Sequence, residues 1–327
     1  MSVNYLSYAA SAAIKQRSLP RDFDIVFIYE TSPVTIAYPA EEYAKRCNKP
    51  VFFYCCDIWP ECVKVMLHNE NSLPYKAIKN ISTKLYKNCD LLAVQSKGFF
   101  DYFTEVHNIG EEKLRYLPQF ADSQYLEKDF TPEDNGIVDF VFTGNIGIAQ
   151  DIDGLLEAVE KIRDISGFKV HLVGAGSYLD KAKEIVKEKQ LEDKVIFYGR
   201  RPYEEMEKFY KLADVCLATL QAGSAISLTI PSKVQGYMAA GKPVIAALSG
   251  FARTVIEGSG SGICVEPGNS DQLAEAMRAF IHNPKNYQKC GENARNYFKD
   301  HFTKEQYMKT LYELFDETIN TYKGRRK

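Results

Sequence analysis

Short apolar runs rich in β-branched and aromatic residues alternate along the chain with longer stretches of helical period, the pattern of parallel strands joined by crossover helices. It predicts a first series of strands at 24–29, 50–55, 91–95 and 114–117, and a second at 138–143, 169–173, 195–198, 215–218, 243–246 and 262–265. Six strands make a complete doubly wound sheet. Ile152, Leu155, Leu156, Val159 and Ile162 fall on one helical face, with Asp151 and Asp153 in the first turn, where the helix dipole favours acids. Leu273, Met277, Phe280 and Ile281 repeat this over 270–281, and helices at 286–299 and 304–323 follow. The polar stretch 122–135, with Pro132 and then Gly136, reads as a linker. A helix-like segment at 3–15 comes before any strand, and only three or four strands precede the linker, so the first sheet is expected to be incomplete.

The length of 327 residues suits two domains, each large enough for its own core. Forty-one basic and 43 acidic side chains leave a formal charge of −2, so no overall field would gather nucleic acid or an anionic bilayer, and no nucleic-acid partner is expected. Cys47, Cys55, Cys56, Cys62, Cys89, Cys216, Cys264 and Cys290 contain no C-x-x-C pair, which speaks for reduced thiols rather than zinc or a disulfide framework. No run approaches the roughly 20 apolar residues of a membrane span, and residues 1–16 lack a basic start followed by an apolar stretch. The expected location is the cytoplasm.

The candidate chemistry lies at strand-to-helix turns. Phe142-Thr143-Gly144-Asn145-Ile146-Gly147 closes a strand, and its glycines would let backbone approach a ligand at the carboxyl edge of the sheet. Gly174-Ala175-Gly176 repeats the arrangement after the next strand, where glycines that merely turn the corner are the better reading. Pro231 and Gly241 bracket a short helix, 231–240, and Pro231 leaves the amides of Ser232, Lys233 and Val234 pointing outward. A cation in the first turn is disfavoured by roughly 0.3–1 kcal/mol, so Lys233 there suggests an anion, a phosphate above all. Arg200 and Arg201, following a strand, would face the same edge.

In the first series, Asp57-Ile58-Trp59-Pro60-Glu61 holds the only tryptophan; its two acids fit sugar hydroxyls, or the tryptophan anchors a loop. Over 75–88, lysines 76, 79, 84 and 87 share one arc of a helical wheel opposite Ile78, Ile81 and Leu85, with no acid among them. Such a helix suits anionic headgroups, or is an ordinary surface helix. The basic end, Lys323-Gly324-Arg325-Arg326-Lys327, suits either a tail or the same surface.

Together, Tyr29-Glu30-Thr31-Ser32-Pro33, Asp57 to Glu61, Ala93-Val94-Gln95-Ser96-Lys97-Gly98, Phe142 to Gly147 and Ile230 to Ile245 resemble the retaining family 4 glycosyltransferases of the GT-B fold, the bacterial kind that builds capsule, O-antigen or exopolysaccharide. The resemblance implies two Rossmann-like doubly wound parallel-sheet domains. Residues 1–122 would be the acceptor side, holding a lipid-linked glycan by Asp57, Trp59 and Glu61. Residues 136–306 would bind a nucleotide sugar, UDP-linked by preference, and the helix from about 307 to 327 would pack back on the first domain. Gly144, Asn145, Ile146 and Gly147 would lie beside the diphosphate and sugar, Arg200 and Arg201 beside the base, and Ser232 and Lys233 on the phosphates. No cofactor or metal is implied, and the inner face of the cytoplasmic membrane becomes a candidate partner.

Two departures bear on this. Members commonly carry two glutamates eight positions apart, where this chain has Leu228 and Gly236; Gln235 is the candidate replacement, and Gly236 implies a close approach by backbone. The opening strands of the family have no counterpart before Val3, which predicts an acceptor domain lacking its first third, an unpaired sheet edge and low activity. The alternatives are a non-catalytic nucleotide-sugar binding protein, or a sugar-nucleotide epimerase of the same architecture, which needs carboxylates facing the sugar from both domains.

Overall fold

The computed structural model describes residues 2–63, 70–223 and 228–325. The chain divides into two compact units: residues up to Gln119 together with those from Tyr307 on, and Phe120–Gln306.

The first unit runs α1 (Ser2–Lys15), β1 (Val26–Glu30), α2 (Ala37–Cys47), β2 (Val51–Cys55), α3 (Leu73–Asn88), β3 (Leu91–Val94), α4 (Phe99–His107) and β4 (Leu114–Tyr116). Its four strands are parallel and adjacent in chain order. Right-handed crossovers that always step the same way put their helices on one face. There Tyr86 of α3 meets Phe53 of β2 and Phe103 of α4 edge-on, at 5.3 and 4.9 Å between ring centroids. The opposite face, with Phe52, Tyr54, Leu91 and Ala93, is covered by Tyr307, Leu311 and Leu314 of the C-terminal helix Lys304–Gly324. Phe315 of that helix packs 5.3 Å from Phe27 and 5.2 Å from Phe52, and Glu317 accepts from Arg115 Nε at 3.1 Å. Helices on both sides explain why every residue of β2 is buried. Along β1, whose only strand neighbour among the described residues is β2, burial alternates: Val26, Ile28 and Glu30 are inside, Phe27 and Tyr29 partly exposed.

The second unit continues with β5 (Val138–Thr143), α5 (Ile152–Lys161), β6 (Phe168–Val173), α6 (Leu179–Glu188), β7 (Val195–Gly199), α7 (Met206–Leu212), β8 (Val215–Thr219), α8 (Ser232–Ala239), β9 (Val244–Ala247), α9 (Gly250–Gly258), β10 (Gly262–Val265), α10 (Ser270–His282) and α11 (Gln288–His301); Lys304–Gly324 is α12. The parallel strands lie in the order β10-β9-β8-β5-β6-β7. Phe140 and Phe142 of β5 face the cluster of Leu155, Leu156 and Val159 of α5, while Val141 faces Val234, Tyr237 and Met238 of α8. This is double winding, and strand order reverses between β5 and β8. Loops leaving those two strands diverge there, which opens a crevice at the carboxyl edge.

The stretch read as a linker is not a bare tether. Tyr125 and Phe130 are buried in the second unit's core against Tyr210, and Lys242 donates to the carbonyls of Phe130 and Ala213. Two aromatic residues outweigh the polar character of their neighbours, which the composition of the segment conceals.

Candidate functional site

Where strand order reverses in the second unit, the loop after β5 passes close to that after β6. Gly144 has φ +112°, and a Cβ on Gly174 would lie 1.7 Å from the Gly144 carbonyl oxygen, so this contact of backbone on backbone admits only glycine. Gly176 is constrained likewise by the Ile146 carbonyl, 2.3 Å from where its Cβ would be. The 174–176 turn is thus a support. Gly144 and Asn145 are exposed, whereas the Ile146 side chain is fully enclosed in the core below, and Gly147 is buried. Of the four residues expected to line a ligand, Ile146 has backbone alone to offer.

The start of α8 stands over the same loop. Pro231 is the N-cap rather than the first helical residue, and its carbonyl already accepts from Val234 N at 2.9 Å. The amides left outward are therefore those of Ser232 and Lys233, not Val234. Tyr237, one turn on, accepts from Thr143 N at 2.9 Å and donates to Leu217 O at 3.1 Å. One hydroxyl so ties the helix to β5 and β8 on both sides of the crevice.

The Lys233 side chain folds back over the loop instead of entering solvent. Its Nζ lies 3.5 Å from the centre of the Phe142 ring and donates to Gln150 Oε1 at 2.9 Å. A Cβ added at Gly144 would lie 3.8 Å from it. No carboxylate pairs with it, and burial brings its pKa down from 10.5 to about 7. Phe142 and Gln150 had no signal in the sequence reading; both act through packing. Thr219, ending β8, donates to the Gln150 carbonyl, which holds that residue in place.

Arg200 is exposed at the end of edge strand β7, and Arg201 is engaged locally, donating to Tyr198 O at 3.0 Å with Glu205 3.9 Å away. Neither is brought against Lys233 by any contact. Gln235 is buried, so it does not join the exposed groups at the start of α8. Gly236 does admit a close approach, but of a side chain: a Cβ there would lie 2.8 Å from the hydroxyl oxygen of Tyr210. A hollow of about 600 Å3 lies at the amino edges of β8 and β9, near Asp214 and Pro243; the ammonium of Lys242 and the guanidinium of Arg295, which line it, are engaged with backbone carbonyls.

In the first unit, Trp59 is the anchor of its loop. It is buried, its Nε1 donates to Ser32 Oγ at 3.0 Å, and its carbonyl accepts from His107 Nε2 at 3.1 Å. Burial lowers the His107 pKa to about 4, so the ring is neutral at pH 7, and its Nδ1 accepts from Thr83 Oγ1 at 2.6 Å. Asp57 is half-buried, with its pKa raised by desolvation. Glu61 accepts from Tyr75 on α3 at 2.7 Å and lies 3.5 Å from the hydroxyl of Tyr102 on α4. Beneath them Glu30 is fully enclosed, both its oxygens without a hydrogen-bond partner, and desolvation pushes its pKa to about 8. On α3 the burial differs from the wheel in one respect: Ile81 is exposed, and Ser82 takes an inward place by donating to Ile78 O at 2.6 Å. Arg325 reaches Asp90 at 3.2 Å, while Arg326 and Lys327 lie outside the described residues.

A model of the family described as "Glycosyl transferases group 1" matches residues 126–297. The uncharacterized glycosyltransferase MJ1607 of Methanocaldococcus jannaschii is 24% identical over 276 residues, which cover 79% of this chain and 65% of that relative. This chain thus spans just under two thirds of that relative's length. An N-acetylgalactosamine-N,N'-diacetylbacillosaminyl-diphospho-undecaprenol 4-alpha-N-acetylgalactosaminyltransferase of Campylobacter jejuni is 26% identical over 211 residues, 62% of this chain and 55% of that protein. Among solved structures, Alr3699/HepE of Anabaena in complex with UDP superimposes with a TM-score of 0.77 at 15% identity, covering 94% of this chain and 82% of the other. Two parallel-sheet α/β units of this kind constitute the GT-B fold.

Proposed function

Because the chain belongs to the glycosyl transferases group 1 family, we propose that it transfers a sugar from a nucleotide sugar, UDP-linked by preference, to a lipid-linked glycan, with retention, in surface-polysaccharide assembly. One observation carries the donor side of this reading: an ammonium group without a counter-ion, Lys233, held over Phe142 beside the outward amides at the start of α8. Two negative phosphates are what such a group lacks. Two unit charges about 4 Å apart attract by about 4 kcal/mol at an effective dielectric of about 20, several times the dipole penalty on the lysine. Lys233 and the amides of Ser232 and Lys233 would take up the charge that develops on the departing diphosphate, so we assign no metal to this step. Gly144 and Asn145 would lie along the sugar, and Arg200 near the base. The UDP in the Anabaena neighbour and the diphospho-undecaprenol in the Campylobacter relative's name support the choice of donor and acceptor classes.

The test is thermal unfolding of the whole chain with UDP, GDP and ADP. UDP is expected to raise the midpoint most, and Lys233→Ala to abolish most of the rise; no shift with any nucleotide ends the donor assignment. Turnover is then sought with a prenyl-diphosphate-linked acceptor, and proton NMR of the product reads the anomeric configuration.

Contact with the inner membrane face is part of the same reading, and the outer side of α3 supports it. Leu73 is 83% and Ile81 48% exposed there, between exposed Lys84 and Lys87, on a helix without acids. No helix among the described residues is long and apolar enough to cross a membrane. Co-sedimentation with phosphatidylglycerol vesicles should fall when Ile81→Ser is combined with Lys84→Gln and Lys87→Gln; unchanged sedimentation refutes the contact.

A further inference from the structure

The lysines of α3 do not act as one set. Lys84 and Lys87 lie on its outer side, but Lys76 and Lys79, three residues apart and so neighbours on the helix, line a cavity of about 490 Å3. Across it stand Glu61, Tyr75 and Tyr102, the hydroxyl and carboxyl cluster described above, with Asn71 at the rim. Neither ammonium group has a hydrogen-bond or ion-pair partner among the described residues. The first turn of α3 holds no acid, and the capping oxygen is the neutral hydroxyl of Ser72. Two cations near the positive end of a helix dipole are mutually repelled and disfavoured until an anion arrives. Opposite them, phenol oxygens that donate to or approach Glu61 keep lone pairs for the hydroxyls of a sugar, and the ring faces cover its apolar side. The volume falls in the range of small-ligand sites and suits one sugar ring with its phosphate.

We infer that this cavity holds a glycosyl phosphate, its sugar against Tyr75, Tyr102 and Glu61 and its phosphate on Lys76 and Lys79. This rests on the acceptor side of the proposed function and narrows it. The acceptor is recognised by the sugar that bears the anomeric phosphate, so the preceding reaction must be a phosphoglycosyl transfer or an early elongation close to that phosphate. A long glycan presented only by its far end would not engage the lysines.

Titration calorimetry on the whole chain tests it, with the 1-phosphates of glucose, galactose and N-acetylglucosamine, the corresponding free sugars, inorganic phosphate, and N-acetylglucosamine diphosphate on a ten-carbon prenyl chain. At least one sugar phosphate is expected to bind ten times or more tightly than its free sugar and than inorganic phosphate. The double variant Lys76→Gln/Lys79→Gln should lose that factor, and Tyr102→Phe a smaller part of it. Absence of binding by every phosphorylated sugar, or equal binding by the double variant, overturns the inference. A tenfold preference for the prenyl-linked form supports it with a membrane carrier as the source; equal affinity supports it with a soluble sugar phosphate. The UDP-induced rise in midpoint is read in parallel. Intact UDP binding with an inert cavity defeats this inference alone, whereas a responsive cavity without UDP binding defeats the donor reading alone.

Discussion

Lys233 shows how much one residue's meaning depends on what surrounds it. Its pKa near 7 arises from burial with no acid to offset it, so at pH 8 most of the population carries no charge there. A diphosphate against the nitrogen raises the pKa again, and binding must then take up a proton. The sign follows: nucleotide affinity falls as pH rises above 7, by up to about tenfold per unit, until the pKa of the bound state is reached. At pH 8 the phosphate's own second ionisation, near 6, is complete and contributes little. Calorimetry with UDP at pH 8, in two buffers of different ionisation enthalpy, is expected to show uptake of about 0.9 proton, and Lys233→Arg, charged throughout, about none. Equal uptake by both would place the proton elsewhere.

At the scale of the element, α8 is held by hydroxyls rather than by its own capping. Tyr237 joins it to β5 and β8, and the Tyr210 hydroxyl fills the space that a side chain at position 236 would need. Tyr210 is itself fixed in the core, 5.1 Å from the Tyr125 ring and 6.1 Å from that of Tyr237, so it cannot swing away. Gly236→Ala therefore sets a gain of about 1 kcal/mol in helix propensity against overpacking that costs about 1–3 kcal/mol, and the net effect is expected to be a loss of about 1 kcal/mol. Tyr210→Phe in the same chain removes the oxygen in the way and should restore the propensity gain. Urea unfolding of both single variants and the double variant gives the coupling; simple additivity would mean the hydroxyl is not the obstacle.

Across the whole molecule, the last helix belongs to the first sheet although the second unit separates them in the chain. Tyr307, Leu311, Leu314 and Phe315 cover Phe52, Tyr54 and Phe27, a large aromatic area on the only face that the crossover helices leave open. A chain ending at Gln306 is expected to expose that face, read as strong binding of anilinonaphthalene sulfonate and loss of the first unit's cooperative unfolding. Residues 120–306 keep their own core, so UDP should still raise the midpoint of what remains. A shortened chain whose first unit unfolds as before would show that another element can cover the sheet.

Ten strands and the helices between them were legible in the order of the residues because period and propensity act between near neighbours. Pro231 and Gly241 marked α8 to within a residue, and even the short run at 114–117 emerged as β4. Lys233 was likewise conspicuous, as a cation where a helix disfavours one. Its burial was not, since that rests on Phe142 and on Gln150, 83 positions away, and neither carries a local mark. The same limit hid Tyr210 against Gly236, the enclosure of Ile146 and Gln235, and the division of the α3 lysines between an outer face and a cavity. Periodicity tells which side of a helix is apolar, but only the packed neighbours decide which polar groups lose water, and that loss gives a charge its affinity for a partner.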